Sequence, residues 1–276
     1  MAWNDAVHYP QDEMLSALLP VTTGCSYNKC AFCSMYTDEE YAVLPLADIE
    51  QQLLHGQRYT ERVFLIGADP LSIGFERMKR LLEMIHHYLP VCGCVAAYAS
   101  IKNLRYYSVE ELSDLHDLGL RQLYIGFETG LEEALQLMNK GHTVDEAIRQ
   151  AKKLNEANAP FRTVIMYGIA GKGRSEENAL ATASMINQFE TGKVITMNLT
   201  VFYGTALEKM VRNGTFIPPD NHERLLEIRT LIEHLEPNKA MDFDTTHPTN
   251  IAQIKGTLPQ DRQRMIRQVD QVLECR

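Results

Sequence analysis

The chain has one tryptophan and no long apolar run, and its acidic residues outnumber its basic ones. Each shortage excludes something. A membrane-spanning helix needs about 18 or more consecutive apolar residues, and no such stretch is present. The N-terminus, MAWNDAVHYPQDE, has no basic segment followed by an apolar one, so it does not read as a secretion leader and the expected location is the cytoplasm. Net charge is −9, from 27 Lys and Arg against 36 Asp and Glu. The densest basic pairs, Lys79-Arg80 and Lys152-Lys153, fall on amphipathic helical patterns rather than forming a stripe. No DNA-binding surface is therefore expected, because such surfaces concentrate positive charge. No Gly/Ser-rich linker, low-complexity tract or internal repeat beyond strand–helix alternation interrupts the 276 residues. That length suits one large domain or a barrel.

What is present is concentrated in one place. Cys25, Cys30 and Cys33 lie within nine residues in GCSYNKCAFCSMY (24–36). The other three cysteines, Cys92, Cys94 and Cys275, lie far away. In a cytoplasmic chain this pattern favours metal or redox chemistry over disulfides. A structural zinc site closes with four ligands, and an all-cysteine iron–sulfur cluster takes four thiolates. Three clustered thiols therefore leave one position of a cubane open, which is useful where something else binds there. The alternative is a zinc loop completed by a distant residue such as His142 or His247. Cys92 and Cys94 read as buried small hydrophobes, so one cluster is expected.

Apolar periodicity alternates along the chain. Strand patterns cover 15–23, 63–67, 91–100, 121–128, 161–169 and 193–202, and helix patterns cover 46–58, 74–89, 108–119, 131–139, 143–157 and 175–189. Ser108 with Glu111, and Thr143 with Glu146, have the spacing of capping boxes. Six strands separated by helices imply parallel pairing with right-handed crossovers. The expected fold is α/β, a partial (β/α)6 barrel over residues 1–204. Residues 205–276 read as a mainly helical C-terminal extension packed on the same domain, with a loop over 243–259. The cysteine loop follows the first strand, at the barrel end where active sites gather.

With these elements in order, the sequence resembles the radical S-adenosylmethionine (SAM) enzymes. Their usual spacing is C-x3-C-x2-C with an aromatic before the last cysteine. Here Phe32 precedes Cys33, and the first gap holds four residues, as in a little-characterised subgroup with GCSxNKC-type loops. LIGADPL (65–71) resembles the Gly-Gly-Glu-Pro segment, with Gly67, Ala68, Asp69 and Pro70 in the four places and mostly backbone contacts expected. LYIGFETG (123–130) resembles the fourth-strand motif, which makes Glu128 the candidate facing SAM, and Lys140 in MNKG resembles a basic position that reaches the SAM carboxylate. MYGIAGKG (166–173), with Gly168 and Gly171, resembles the fifth-strand motif lying against adenine. The resemblance covers nearly the whole chain and is similar to coproporphyrinogen dehydrogenase and elongator-type cores.

The resemblance implies one [4Fe–4S] cluster and SAM as cofactors, with Cys25, Cys30 and Cys33 as metal ligands. It implies reductive cleavage of SAM to methionine and a 5′-deoxyadenosyl radical, hydrogen abstraction from substrate, and a reducing partner such as flavodoxin or ferredoxin. No cobalamin-binding domain or cluster-bearing extension is expected, which favours a small-molecule or peptide substrate. Candidates to face it, taken as strand C-termini, are Tyr98, Ser100, Lys102, Arg162, Asn198, Thr200 and Tyr203, with Tyr98, Lys102, Arg162 and Tyr203 foremost. His247, Asn250 and Lys255, in a polar segment that can fold over the opening, join them. The alternative function is a non-catalytic iron–sulfur electron or cluster carrier. A third possibility is cleavage toward a 3-amino-3-carboxypropyl radical.

Overall fold

Met78, Leu81, Leu82 and Ile85 recur at helical spacing, and all four are fully buried in the computed structural model. That spacing turns one helix face to a core and leaves the other to solvent. Val63, Phe64 and Leu65 are buried in succession, as expected of a parallel strand covered on both faces. The structure describes residues 8–56 and 58–275. Residues 1–7, part of the stretch read as leader-free, lie outside them, as do Gln57 and Arg276.

The chain divides into two compact units. The first comprises Met1–Asn28, Met35–Tyr124 and Ala157–Ala159. It carries β1 (Ala17–Pro20), β2 (Thr22–Thr23), β3 (Ala42–Val43), α1 (Leu46–Leu54), β4 (Arg62–Ile66), α2 (Phe75–Tyr88), β5 (Cys94–Ala99), α3 (Ile101–Leu104), α4 (Val109–Asp117) and most of β6 (Leu120–Glu128). β1 pairs with β4, and β4 with β5, all parallel. The stretch expected as one strand over 15–23 breaks at Val21. Thr22 and Thr23 leave β1 and pair antiparallel with β3 instead. Cys92 precedes β5, and Cys94 opens it.

Glu13, in the short helical turn Gln11–Glu13 that precedes β1, is wholly buried. It accepts from Arg62 Nε (2.7 Å), Arg62 Nη2 (2.5 Å), Ser16 Oγ (2.5 Å) and Tyr124 Oη (2.6 Å). Arg62 also donates to Cys94 Sγ at 2.8 Å. Burial raises the cost of the Glu13 charge, but these donors outweigh it and hold its carboxyl below the usual range. Cys94 is thus enclosed in a structural ion-pair cluster.

The second unit comprises Lys29–Ser34, Ile125–Glu156 and Pro160–Arg276. It holds α5 (Glu132–Leu137), α6 (Val144–Glu156), β7 (Phe161–Tyr167), α7 (Ser175–Ile186), β8 (Lys193–Asn198), α8 (Ala206–Arg212), α9 (Asn221–His234), β9 (Met241–Asp244), β10 (Lys255–Leu258) and α10 (Arg262–Glu274). β7, β8 and β9 are parallel neighbours, and β10 closes antiparallel on β9. In the main sheet the strand order is β1-β4-β5-β6-β7-β8-β9-β10. The architecture is therefore α/β with a mostly parallel sheet. The segment read as helix and loop contributes two of its strands. Each is four residues long, too short to show a period, and is defined by its neighbour. Among the described residues no helix is long and apolar enough to cross a membrane.

Candidate active site

In the first unit the end of β4 is shaped by Gly67. A Cβ there would lie 2.1 Å from Thr22 Oγ1, and its φ is +149°, so glycine is required. Ala68, half-buried, and the buried Asp69 and Pro70 complete the turn. Asp69 Oδ2 accepts from Ser100 N (3.1 Å), from the Ser100 hydroxyl and from Asn103 Nδ2 (2.7 Å). Asn103 Nδ2 also reaches Ser26 Oγ at 3.3 Å, next to Cys25. Burial pushes the Asp69 carboxyl up to about 6 against the pull of these donors. Its Oδ1 is buried without a hydrogen-bond partner.

Cys25 follows Gly24, where φ is +58° and a Cβ would lie 2.7 Å from the backbone of residues 39–41, which excludes a side chain. Cys25 Sγ accepts from Asn28 N at 3.3 Å, and Asn28 Nδ2 donates to Tyr36 O at 2.8 Å, folding the loop back on itself. Lys102, in α3, places Nζ 4.2 Å from the centre of the Tyr27 ring. Tyr98, in β5, packs edge-on against Phe64 and Tyr124. Ser100 caps α3 by accepting from Asn103 N.

In the second unit the Lys29–Ser34 segment is pinned by backbone bonds. Ala31 N donates to Met138 O, and Leu207 N to Ala31 O, both at 2.8 Å. Asn139 Nδ2 donates to Lys29 O at 2.9 Å. Ala31 and Phe32 pack into an apolar cluster with Met138, Ile169, Leu199 and Leu207. Lys140 Nζ lies 2.6 Å from Glu128 Oε1 and 5.8 Å from the Phe32 ring centre. Burial disfavours the Lys140 charge, but Glu128, Cys30 and Cys33 together hold its pKa above the ordinary lysine range. Cys30, Phe32, Cys33, Glu128 and Lys140 therefore converge within one unit. Glu128 is buried and has φ +64°.

None of the six cysteines is paired in a disulfide, and Cys25, Cys30 and Cys33 are half-buried. Among the described residues no group of three or more His, Cys, Asp or Glu side chains is gathered as a metal site.

β7 ends at Tyr167, and Gly168 and Gly171 follow with φ of +81° and +85°. A Cβ on Gly168 would lie 2.6 Å from Arg224 Nη1. Gly168 N donates to Glu227 Oε2 at 2.9 Å. Asn198, at the end of β8, accepts from Arg224 Nη1 and donates to Thr249 O at 3.1 Å. Thr200 Oγ1 turns back to Asn198 O at 3.3 Å, and Tyr203 is exposed.

The β9–β10 connection folds against the same strand ends. Ile251 N donates to Tyr167 Oη at 3.0 Å, and Asn250 Nδ2 donates to Thr196 O at 2.7 Å. His247 lies in this loop with Nδ1 2.8 Å from Thr249 Oγ1. Lys255 opens β10, with Nζ 3.8 Å from Asp244 Oδ2. Arg162 is a correction. It is the second residue of β7, in register with Lys193 at the start of β8, so it stands at the opposite end of these strands from Gly168 and Asn198. Burial lowers its pKa, against the pull of Asp242 and Asp244.

Sequence reading missed Asn103, Thr129, Asn178, Arg224 and Glu227. The last two interrupt the apolar stripe of α9 formed by Leu225, Ile228, Leu231 and Ile232. Charged residues on a buried stripe were the available signal.

Against this geometry, a family model described as "Radical SAM superfamily" matches residues 19–183. The chain belongs to the radical SAM superfamily. Members are enzymes that bind a [4Fe–4S] cluster and SAM, and these cofactors come with membership. The chain is similar to heme chaperone HemW of Bacillus subtilis (strain 168), 24% identical over 205 residues, covering 72% of this chain and 52% of HemW. It is also similar to tRNA-2-methylthio-N(6)-dimethylallyladenosine synthase of Syntrophus aciditrophicus (strain SB), 24% identical over 245 residues, covering 84% of this chain and 52% of the synthase. Among solved structures, coproporphyrinogen III oxidase (HemN) from Escherichia coli, a radical SAM enzyme, superposes with a TM-score of 0.62 at 14% identity, covering 80% of this chain and 52% of HemN. Archaeal Elp3 of Methanocaldococcus infernus gives 0.57 at 17% identity, covering 94% of this chain and 62% of Elp3. These superpositions show a shared fold. The chain spans about half the length of the two curated relatives.

Proposed function

We propose that this radical SAM chain holds its cluster through Cys25, Cys30 and Cys33 and abstracts a hydrogen atom from a small-molecule or peptide substrate in the cytoplasm. The carrying observation is the convergence of Glu128, Lys140 and Phe32 with Cys30 and Cys33 in the second unit. The residues suit the cofactors. Cys25, Cys30 and Cys33, none of them in a disulfide, would supply three thiolate ligands and leave one iron for SAM. A lysine held in its charged form beside Cys30 and Cys33 favours their thiolates. The buried, unpartnered Oδ1 of Asp69 suits an ammonium donor, next to the Gly67–Pro70 turn assigned to the SAM amino group.

When bound and reduced, the cluster and SAM supply a 5′-deoxyadenosyl radical. This chain's residues place and shield it. Lys140 is assigned to the SAM carboxylate, with Glu128 orienting the lysine. Gly168 and Gly171, in the turn after β7, are assigned to the adenine side. Tyr98, Ser100, Asn198, Thr200 and the loop bearing His247 and Asn250 are assigned to the substrate side, while Arg162 is dropped because of its strand end. A flavodoxin or ferredoxin is the proposed reductant.

The test is anaerobic reconstitution followed by incubation with SAM and dithionite. 5′-Deoxyadenosine is the expected product. Methylthioadenosine would indicate the alternative cleavage, and a cluster that neither binds nor cleaves SAM would make the chain a carrier.

A further inference from the structure

Glu227 lies in α9 and is 2% exposed. A carboxylate at such a site costs desolvation that an apolar side chain avoids, so its partners indicate what it does. Oε2 accepts from the backbone N–H of Gly168 at 2.9 Å, where β7 ends. Oε1 accepts from Asn178 Nδ2 in α7 at 2.6 Å. Asn178 Oδ1 in turn accepts from Thr129 Oγ1 at 2.5 Å. Thr129 is fully buried, accepts from Leu131 N at 2.8 Å, and directly follows Glu128.

The relay thus joins two strand ends. At one end is Gly168, where no Cβ fits. At the other is Glu128, a non-glycine residue held at φ +64° with its carboxylate on Lys140. Such a backbone conformation persists where surrounding contacts over-determine it, and it clusters at ligand sites. Gly130, two residues on, donates its N–H to Thr182 Oγ1 at 3.0 Å, and a Cβ on it would lie 2.2 Å from Ala181 O. Residues 128–131 are therefore pressed onto α7, which carries Asn178 and Thr182. Three residues before Glu227 on the same helix, Arg224 reaches Asn198 Oδ1 and donates to Leu199 O at 3.2 Å. One helix turn of α9 thus braces the ends of β7 and β8.

We propose that Glu227 is a positioning residue for SAM, setting through Gly168 and the Asn178–Thr129 relay the spacing between the Gly168 turn and the Glu128–Lys140 pair. This rests on the assignment of those two strand ends to SAM. It gives the buried carboxylate a role that stability alone does not explain, because an apolar residue would fill the space at lower cost.

The test uses the full chain with reconstituted cluster and reads SAM affinity by calorimetry, iron per chain, and hydrogen exchange at the Gly168 amide. For Glu227→Gln, SAM binding is expected to weaken by about tenfold, the size typical when hydrogen-bond support behind a ligand-holding group is lost. Iron content should match wild type, and the Gly168 amide should exchange faster. Thr129→Val attacks the other end of the relay and serves if Glu227→Gln fails to fold; it too is expected to weaken SAM binding at full iron content. The double variant should lose less than the product of the two single losses, because both break one network. Variants that fold, hold iron and bind SAM as wild type does would overturn the proposal alone. A wild type that takes the cluster but never binds SAM would overturn the functional reading beneath it.

Discussion

Lys140 Nζ and Glu128 Oε1 lie 2.6 Å apart, with the side chains 18% and 7% exposed. A buried pair loses more when one partner is removed than when both are, because a lone charge remains out of water. Lys140→Met should cost about 3 kcal/mol of folding stability. Lys140→Met combined with Glu128→Leu should cost less than the two single changes added together. Chemical denaturation of the three variants decides it, and strict additivity would show that the pair is not coupled.

Gly67→Ala should be among the most damaging small substitutions in the first unit. Its Cβ would overlap Thr22 Oγ1, so one of the two must move. A loss of about 2 kcal/mol or more is expected. Adding Thr22→Ala should recover part of it by removing the hydroxyl, leaving the backbone cost of alanine at this φ, about 1 kcal/mol. Equal thermal midpoints for the single and double variants would remove the clash as the cause.

Burial pushes the Glu227 carboxyl from its usual 4.5 up to about 7, against Asn178, the Gly168 N–H and the nearby Arg224 guanidinium. The folded chain then holds a proton that the unfolded chain has lost. Stability therefore falls as pH rises from about 4.5 to about 7 and levels off above that. The Asp69 carboxyl, raised to about 6, acts in the same direction. Glu227→Gln should remove its share of the slope. Relative to that variant, the wild type should lose up to about 3 kcal/mol between pH 4.5 and 8. Parallel stability–pH curves for the two proteins would contradict this.

Among the cysteines, the proposed ligands separate cleanly from the rest. Alanine at Cys25, Cys30 or Cys33 should abolish retention of the cluster, which in wild type corresponds to about four irons per chain. Serine at Cys275, which is exposed, should leave iron content unchanged. Cys94→Ser should also keep the iron, since Cys94 is engaged by Arg62 beside Glu13. Iron analysis and visible absorbance after anaerobic reconstitution provide the measurement. A Cys30→Ala protein with full iron would exclude that residue as a ligand.

Local patterns were legible in the amino-acid order because their causes are local. The cysteine spacing, the αα and ββ periods and the caps depend on residues a few positions apart. Ser108 and Glu111 form the expected capping box, and Thr143 Oγ1 accepts from Glu146 N at 3.1 Å. The alternation of strands and helices followed from the same short-range periods, and with it the parallel α/β class. Tertiary structure decided everything that a distant partner sets. β9 is a strand because β8 offers it a hydrogen-bonding edge, and β10 because β9 then does the same, which four residues cannot advertise by themselves. The end of β7 on which Arg162 stands depends on where pairing with β8 begins. The brace at Gly168 comes from Glu227, 59 residues away. Burial, which raises the cost of that charge and makes its hydrogen bonds matter, exists only once the chain has packed.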